Sequence, residues 1–138
     1  MSGAVTRQGP RRLVRGEKIE VRASPIHGYG VFARTRIARG EIIQESPCLP
    51  LEDEYVDMDG VLGGYVYEWP LGGDGVAVVF GMGSVFNHGA RPNVGWSTMV
   101  EERFVRFVAT RDIEQDEELL IDYGSEYWEK HGGTPTLD

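Results

Sequence analysis

The chain has 138 residues, 41% of them apolar, and a formal net charge of −8. That is enough for one domain around one core, and too apolar for a disordered chain. No apolar run reaches the length of a membrane span and no basic–apolar–small leader opens the chain, so a soluble protein outside the usual export route is expected, with no membrane partner.

Cys48 is the one cysteine, which excludes an internal disulfide and a cysteine-rich zinc cluster. His27, His88 and His131 lack metal-site spacing, and no metal is expected. The charge is uneven. Residues 1–16 carry Arg7, Arg11, Arg12 and Arg15 and no acid, so residues 17–138 carry −12. An acidic body repels phosphates and attracts basic peptides, although acidity also serves solubility alone. Four charges in an arginine tail are a thin basis for nucleic-acid binding. The expected division is a basic, disordered tail over 1–16, one domain over 17–131, and a flexible end over 132–138.

In chain order, Lys18 to Arg22 alternates charged and apolar residues and predicts a first strand with Ile19 and Val21 on one face. Ser24-Pro25 breaks it, His27-Gly28-Tyr29-Gly30 makes a tight loop, and Val31 to Ala33 restarts a strand. Arg34 to Gly40 reads as a loop and Glu41 to Glu45 as a strand. Pro47 to Gly64 reads as turn-rich and acidic. Tyr65-Val66-Tyr67 is short strand material ended by Trp69-Pro70, and Gly72 to Gly75 is a turn. Val76 to Phe80 reads as a buried strand, and Val94 to Met99 with Arg103 to Ala109 as a strand pair. Leu119-Leu120-Ile121 is apolar after an acidic turn, and Ser125 caps a short helix through Lys130. With 19 glycines gathered at turns, the expectation is a single mainly-β domain of small sheets.

Three pieces carry chemistry. The loop His27-Gly28-Tyr29-Gly30 has glycines that let backbone approach a ligand, though a plain hairpin uses them too. Asn87-His88, followed after three residues by Pro92-Asn93, sets directional polar groups beside a buried strand, where an unpaired group costs about 1–3 kcal/mol. An Asn-capped turn would use the same residues. Glu117-Glu118-Leu119 leads to Asp122-Tyr123-Gly124, and a tyrosine in that setting is ordinarily packing. These polar groups need partners, and the last piece is expected to lie beside the second, with a ligand as a further partner.

Together, in this order, the three pieces resemble SET-domain protein-lysine methyltransferases, which carry a Gly-Tyr-Gly loop, an Asn-His-Ser-x-x-Pro-Asn stretch and a Glu-Glu-Leu-x-x-Asp-Tyr-Gly end. The likeness runs from about Lys18 to Trp128. The opening over Ser24 to Ala33 and the pair Tyr127-Trp128 are similar to the compact SET-only enzymes of large algal viruses and their bacterial relatives. The resemblance implies small curved β-clip-like sheets, few short helices and a C-terminal pseudoknot that sets the second and third pieces side by side.

It also implies S-adenosylmethionine as cofactor and S-adenosylhomocysteine as product. Main chain of Gly28, Tyr29 and Gly30 would hold the methionine end, Asn87 the amino group, backbone of His88 the adenine edge, and Trp128 would stack on the adenine. Tyr123 is the implied catalytic residue, with Tyr65 lining the transfer pore; Tyr29 lies in the same region, and Asp122 anchors the knot. Methyl transfer needs a neutral amine, which for free lysine at pH 7 costs about 4–5 kcal/mol. A desolvating aromatic channel beside a sulfonium lowers that cost, so no strong general base is required and the tyrosine hydroxyl aligns the amine.

Three departures stand out. Gly89 replaces the family serine, Asp116 replaces the glycine before Glu-Glu-Leu, and no cysteine-rich segment completes the channel. The closing wall would come from Tyr127, Trp128 and later residues, or from a second subunit, which makes a homodimer an expectation. Ile121, two before Tyr123, stands where several relatives have Phe or Tyr, so di- or trimethylation is expected unless Trp96 turns inward to fill the space. The implied partner is a basic protein such as a histone tail or a basic bacterial protein, with nucleic acid met only through it. The place of action would be cytoplasmic in a bacterium or nuclear for eukaryotic histones. The other reading is a catalytically inactive SET module that binds a peptide or cofactor.

Overall fold

The structure is a computed structural model that describes residues 12–51 and 65–122. The strands among them are β1 (Ile19–Ala23), β2 (Tyr29–Ala33), β3 (Ile42–Leu51), β4 (Val66–Trp69), β5 (Gly75–Val79), β6 (Asn87–His88), β7 (Val94–Met99), β8 (Phe104–Ala109) and β9 (Glu118–Ile121). They form a four-stranded sheet in the order β1-β2-β9-β6 and a five-stranded sheet in the order β4-β5-β3-β8-β7. One 3-10 turn, Gly81–Ser84, leads from β5 toward β6. The domain is mainly β, as its short alternating segments and frequent glycine turns predict.

β1 and β2 form a hairpin with Ile19 opposite Ala33 and Ala23 opposite Tyr29. Ile19 is buried, but Val21 is 44% exposed because β1 is an edge strand that runs past the cover of the core. β7 and β8 pair in continuous register from Val94–Ala109 to Met99–Phe104. Two core residues in the connecting loops, Ile37 and Ile113, exchange backbone hydrogen bonds of 2.9 and 2.8 Å.

Two expected boundaries change. Pro47 to Leu51 is strand, not turn: β3 pairs with β8 through Pro47 and then with β5 from Cys48 to Leu51. Changing partners midway lets one long strand carry a proline, because Pro47 lacks only a donor and the ladder is handed over there. The rest of the acidic stretch, 52–64, lies outside the described residues. Phe80 ends outside β5 and is 48% exposed, so the buried strand stops at Val79.

Val14 and Gly16, placed by the sequence reading in the basic tail, pair with β3. Val14 N–H donates to the side-chain Oε1 of Glu45, and the Val14 carbonyl accepts from the Glu45 N–H, each at 2.9 Å. Gly16 N–H donates to Gln44 Oε1 at 2.8 Å. The Glu45 side chain is fully buried and its other oxygen accepts from Arg106 Nε at 2.7 Å.

The core joins both sheets through Val31, Ile37, Phe86, Phe107, Leu119 and Ile121, all nearly inaccessible. Phe86 leads into β6 and packs on Phe107 of β8 with ring centroids 4.8 Å apart. That contact ties the start of β6, at the edge of the four-stranded sheet, to the five-stranded sheet, and the second motif begins there.

Candidate active site

The second and third motifs meet. β6 pairs with β9 in parallel, Asn87 against Leu120 and His88 against Ile121. Parallel pairing of segments about thirty residues apart requires an intervening excursion, here the β7–β8 hairpin. Past β6 the chain stays attached: Gly89 N–H donates to the Ile121 carbonyl at 3.2 Å. Gly89 therefore keeps the backbone bond of the turn although it has no hydroxyl.

Asn93 closes the same joint. It is 1% exposed, its Oδ1 accepts from Leu120 N–H at 2.7 Å, and its Nδ2 donates to the Glu118 carbonyl at 2.9 Å. An asparagine side chain imitates a peptide unit, so it serves as a strand partner where the backbone has already turned away.

The first motif docks on this joint. Gly28 lies at φ +45, in the left-handed region open to glycine, and a Cβ built there would meet nothing within 4 Å. Gly30 has the opposite reason to be glycine: a Cβ would collide with a Glu118 carboxylate oxygen and lie 2.8 Å from Asn87 Nδ2. Asn87 Nδ2 donates toward the carbonyls of His27 and Tyr29, at 3.2 and 3.0 Å, and toward Glu118 Oε2 at 2.9 Å. Both oxygens of Glu118 accept from Ser24 Oγ, at 2.9 and 3.0 Å. Ser24 in turn receives Ile26 N–H at 3.0 Å and gives its own N–H to the Gly28 carbonyl at 2.7 Å, which sets the loop. With three acceptors around one end of the Asn87 amide, that end must be the NH2 group. Among the described residues nothing donates to Asn87 Oδ1.

His88 is half-buried, and its imidazole pKa is lowered, first by burial and then by His27, with Asp122 opposing. Tyr29 is 69% exposed and Tyr65 is 51% exposed, so both rings are open to a ligand. Ile121 is fully buried. Trp96 stands edge-on to Tyr67, centroids 4.9 Å apart, and its Nε1 donates to the Asp122 carbonyl at 3.4 Å. A cavity of about 290 Å³ lies beside them, lined by Glu68, Leu71, Val94, Trp96 and Asp122 among others. Its walls are mainly apolar, which suits the alkyl stem of a long side chain. Tyr123 and Trp128, with Tyr127 and the helix expected after Ser125, lie outside the described residues, as does any crossing of the chain beyond Asp122.

Sequence reasoning singled out Asn87, His88 and the glycine loop, which come together, but passed over Glu118 and Tyr67. Glu118 was legible as half of a Glu-Glu pair, yet only the docked loop distinguishes it from Glu117, which faces Arg111 at 2.8 Å. Tyr67 rather than Tyr65 is the buried tyrosine of β4, with its hydroxyl donating to the Gly83 carbonyl at 2.7 Å. Strand alternation puts these two tyrosines on one face and so does not separate them; Tyr67 lies within β4 under the core, whereas Tyr65 stands just ahead of the strand.

Residues 28–124 match the SET domain family model. Over 113 residues the chain is 36% identical to a Schizosaccharomyces pombe protein named histone-lysine N-methyltransferase, H3 lysine-37 specific, covering 80% of this chain and 76% of that one. Among solved structures it is similar to a candidate histone methyltransferase of Plasmodium falciparum, with a TM-score of 0.65 and 30% identity over 80% of this chain and 96% of that one. The chain belongs to the SET-domain family.

Proposed function

We propose that this protein transfers methyl groups from S-adenosylmethionine to lysine side chains of a basic protein such as a histone tail. It is an enzyme of the lysine-methyltransferase class, by family and by its likeness to the fission-yeast enzyme. The observation that carries the reading is the joint itself: loop 27–30, Asn87 and β9 meet at one point, with the amide oxygen of Asn87 unengaged among the described residues.

The residues fit the cofactor. An ammonium needs acceptors, and Asn87 Oδ1, on the side of the amide away from the loop carbonyls, offers one; open space over Gly28 leaves room for a methionine end. The backbone of Gly28, Tyr29, Gly30 and His88 and the ring of Trp128 complete the proposed cradle. The bound cofactor would supply an electrophilic methyl group on a sulfonium.

The protein's part is to deliver a neutral amine in line. Tyr65, Trp96, Ile121 and Tyr123 form the proposed channel. Aromatic walls exclude water and disfavour the ammonium, and the Tyr123 hydroxyl orients the nitrogen lone pair. The net charge of −8 favours basic substrates. Ile121 in place of a larger ring leaves room for di- or trimethyl-lysine. A homodimer would supply a closing wall, and sedimentation showing only monomer over a wide concentration range would refute it.

The deciding experiment incubates the protein with radiolabelled S-adenosylmethionine, histones and cell lysate, in parallel with Tyr123→Phe. Label transferred to protein and lost in the variant supports the reading. Cofactor binding without transfer in the native protein would instead indicate a binding module. Mass spectra that stop at monomethyl-lysine would overturn the assignment of product.

A further inference from the structure

Glu118 stands out among the carboxylates of the described residues. It is only part-exposed, accepts hydrogen bonds from Ser24 and Asn87, and among the described residues has no basic partner. Its neighbour Glu117 does have one, Arg111. A half-buried carboxylate without a counter-charge costs stability unless a cation comes near. The position that a cation would take is adjacent: Asn87 Oδ1 belongs to the same amide whose Nδ2 is 2.9 Å from Glu118 Oε2.

We propose that Glu118 is a positioning residue for the amino group of the cofactor, acting through Asn87; this rests on the function proposed above. At neutral pH a carboxylate offers only acceptors. It therefore selects the Asn87 rotamer with NH2 inward and the amide oxygen outward, and the donor it receives polarises that oxygen as an acceptor. Its negative charge adds attraction for an ammonium on the far side of the amide. The same carboxylate holds Ser24, and through it the turn that presents the carbonyls of His27 and Tyr29. Gly30 is the space that lets this carboxylate reach Asn87, since any side chain there would occupy it.

Titration calorimetry on the full chain tests the assignment with two ligands, S-adenosylhomocysteine and its deaminated analogue. Glu118→Gln keeps the shape and removes the charge. It should bind S-adenosylhomocysteine about ten-fold more weakly, the scale of one charged hydrogen bond, and bind the deaminated analogue as the native protein does. Equal weakening of both ligands would mean a general structural role and overturn the proposal, as would unchanged binding of both. If native protein binds neither ligand, the proposed function fails and this inference with it; if native protein binds and the variant is unaffected, this inference alone fails. Should Glu118→Gln not fold, Glu118→Asp, which draws the charge back by one methylene, gives the same comparison: selective loss for the amino-bearing ligand supports the role, and equal loss overturns it.

Discussion

Asn93 holds Leu120 from both sides of the peptide unit. Its backbone N–H donates to the Leu120 carbonyl at 3.0 Å while its side-chain oxygen accepts from the Leu120 N–H at 2.7 Å. One residue of the second motif thus satisfies the full backbone of one residue of the third, inside the core. The joint between the motifs is as much a matter of this asparagine as of the two-residue strand β6.

Asn93→Ala should therefore destabilise the domain by about 3 kcal/mol, because it leaves the Leu120 N–H and the Glu118 carbonyl unpaired in the interior. Asn93→Asp should be no better. It keeps an acceptor for Leu120 but turns a second oxygen toward the Glu118 carbonyl and Glu117. Urea unfolding monitored by tryptophan fluorescence measures both, and an Asn93→Asp midpoint equal to native would refute the account.

Gly30→Ala should weaken S-adenosylhomocysteine binding about ten-fold or more, equivalent to at least ~1.4 kcal/mol, by pushing Glu118 and Asn87 aside. The double variant Gly30→Ala with Glu118→Ala vacates the contested space, so adding Gly30→Ala to Glu118→Ala should cost far less than adding it to native. Calorimetry of the four proteins gives this coupling, and strictly additive losses would sink it.

Arg106→Leu should cost about 3 kcal/mol, because the Glu45 side chain is wholly buried and would lose the guanidinium that balances its charge. Glu45→Met with Arg106→Leu removes both charges and should recover much of the loss. Thermal or urea unfolding decides. By contrast, removing either partner of the exposed pair Arg36–Asp112 should leave the unfolding midpoint nearly unchanged.

His88 sets an acid limit. Burial lowers its pKa in the fold, while the unfolded chain takes up a proton near the ordinary value of about 6.5. The unfolded state therefore binds more protons as pH falls below that value, and stability declines on acidification from there toward the folded pKa. Above about pH 6.5 the effect is absent. Melting temperatures from pH 8 to 5.5 should fall in the native protein and fall less in His88→Gln; identical slopes would remove His88 as the cause.

Cys48 lies where β3 passes from β8 to β5. Burial pushes the Cys48 thiol up to about 11 against the pull of Arg103, so the thiol is neutral and inert at physiological pH. Nothing in its sequence neighbourhood, Ser-Pro-Cys-Leu-Pro, announces this. The two prolines suggest a turn, and only the exchange of β8 for β5 as partner makes a strand of the segment.

The amino-acid order by itself determined the mainly-β character, the β7–β8 hairpin, the glycine loop and the family, because alternation, turn residues and short motifs are local and are written consecutively. It could not say that Gly30, Asn87 and Glu118 share one point, which of Tyr65 and Tyr67 is covered, or that Asn93 serves as a strand partner. Those depend on distances between residues dozens of positions apart, set by the packing of Phe86 on Phe107 and the parallel joint of β6 with β9. Local preferences choose the elements, whereas burial and the pairing of every interior polar group choose how they meet.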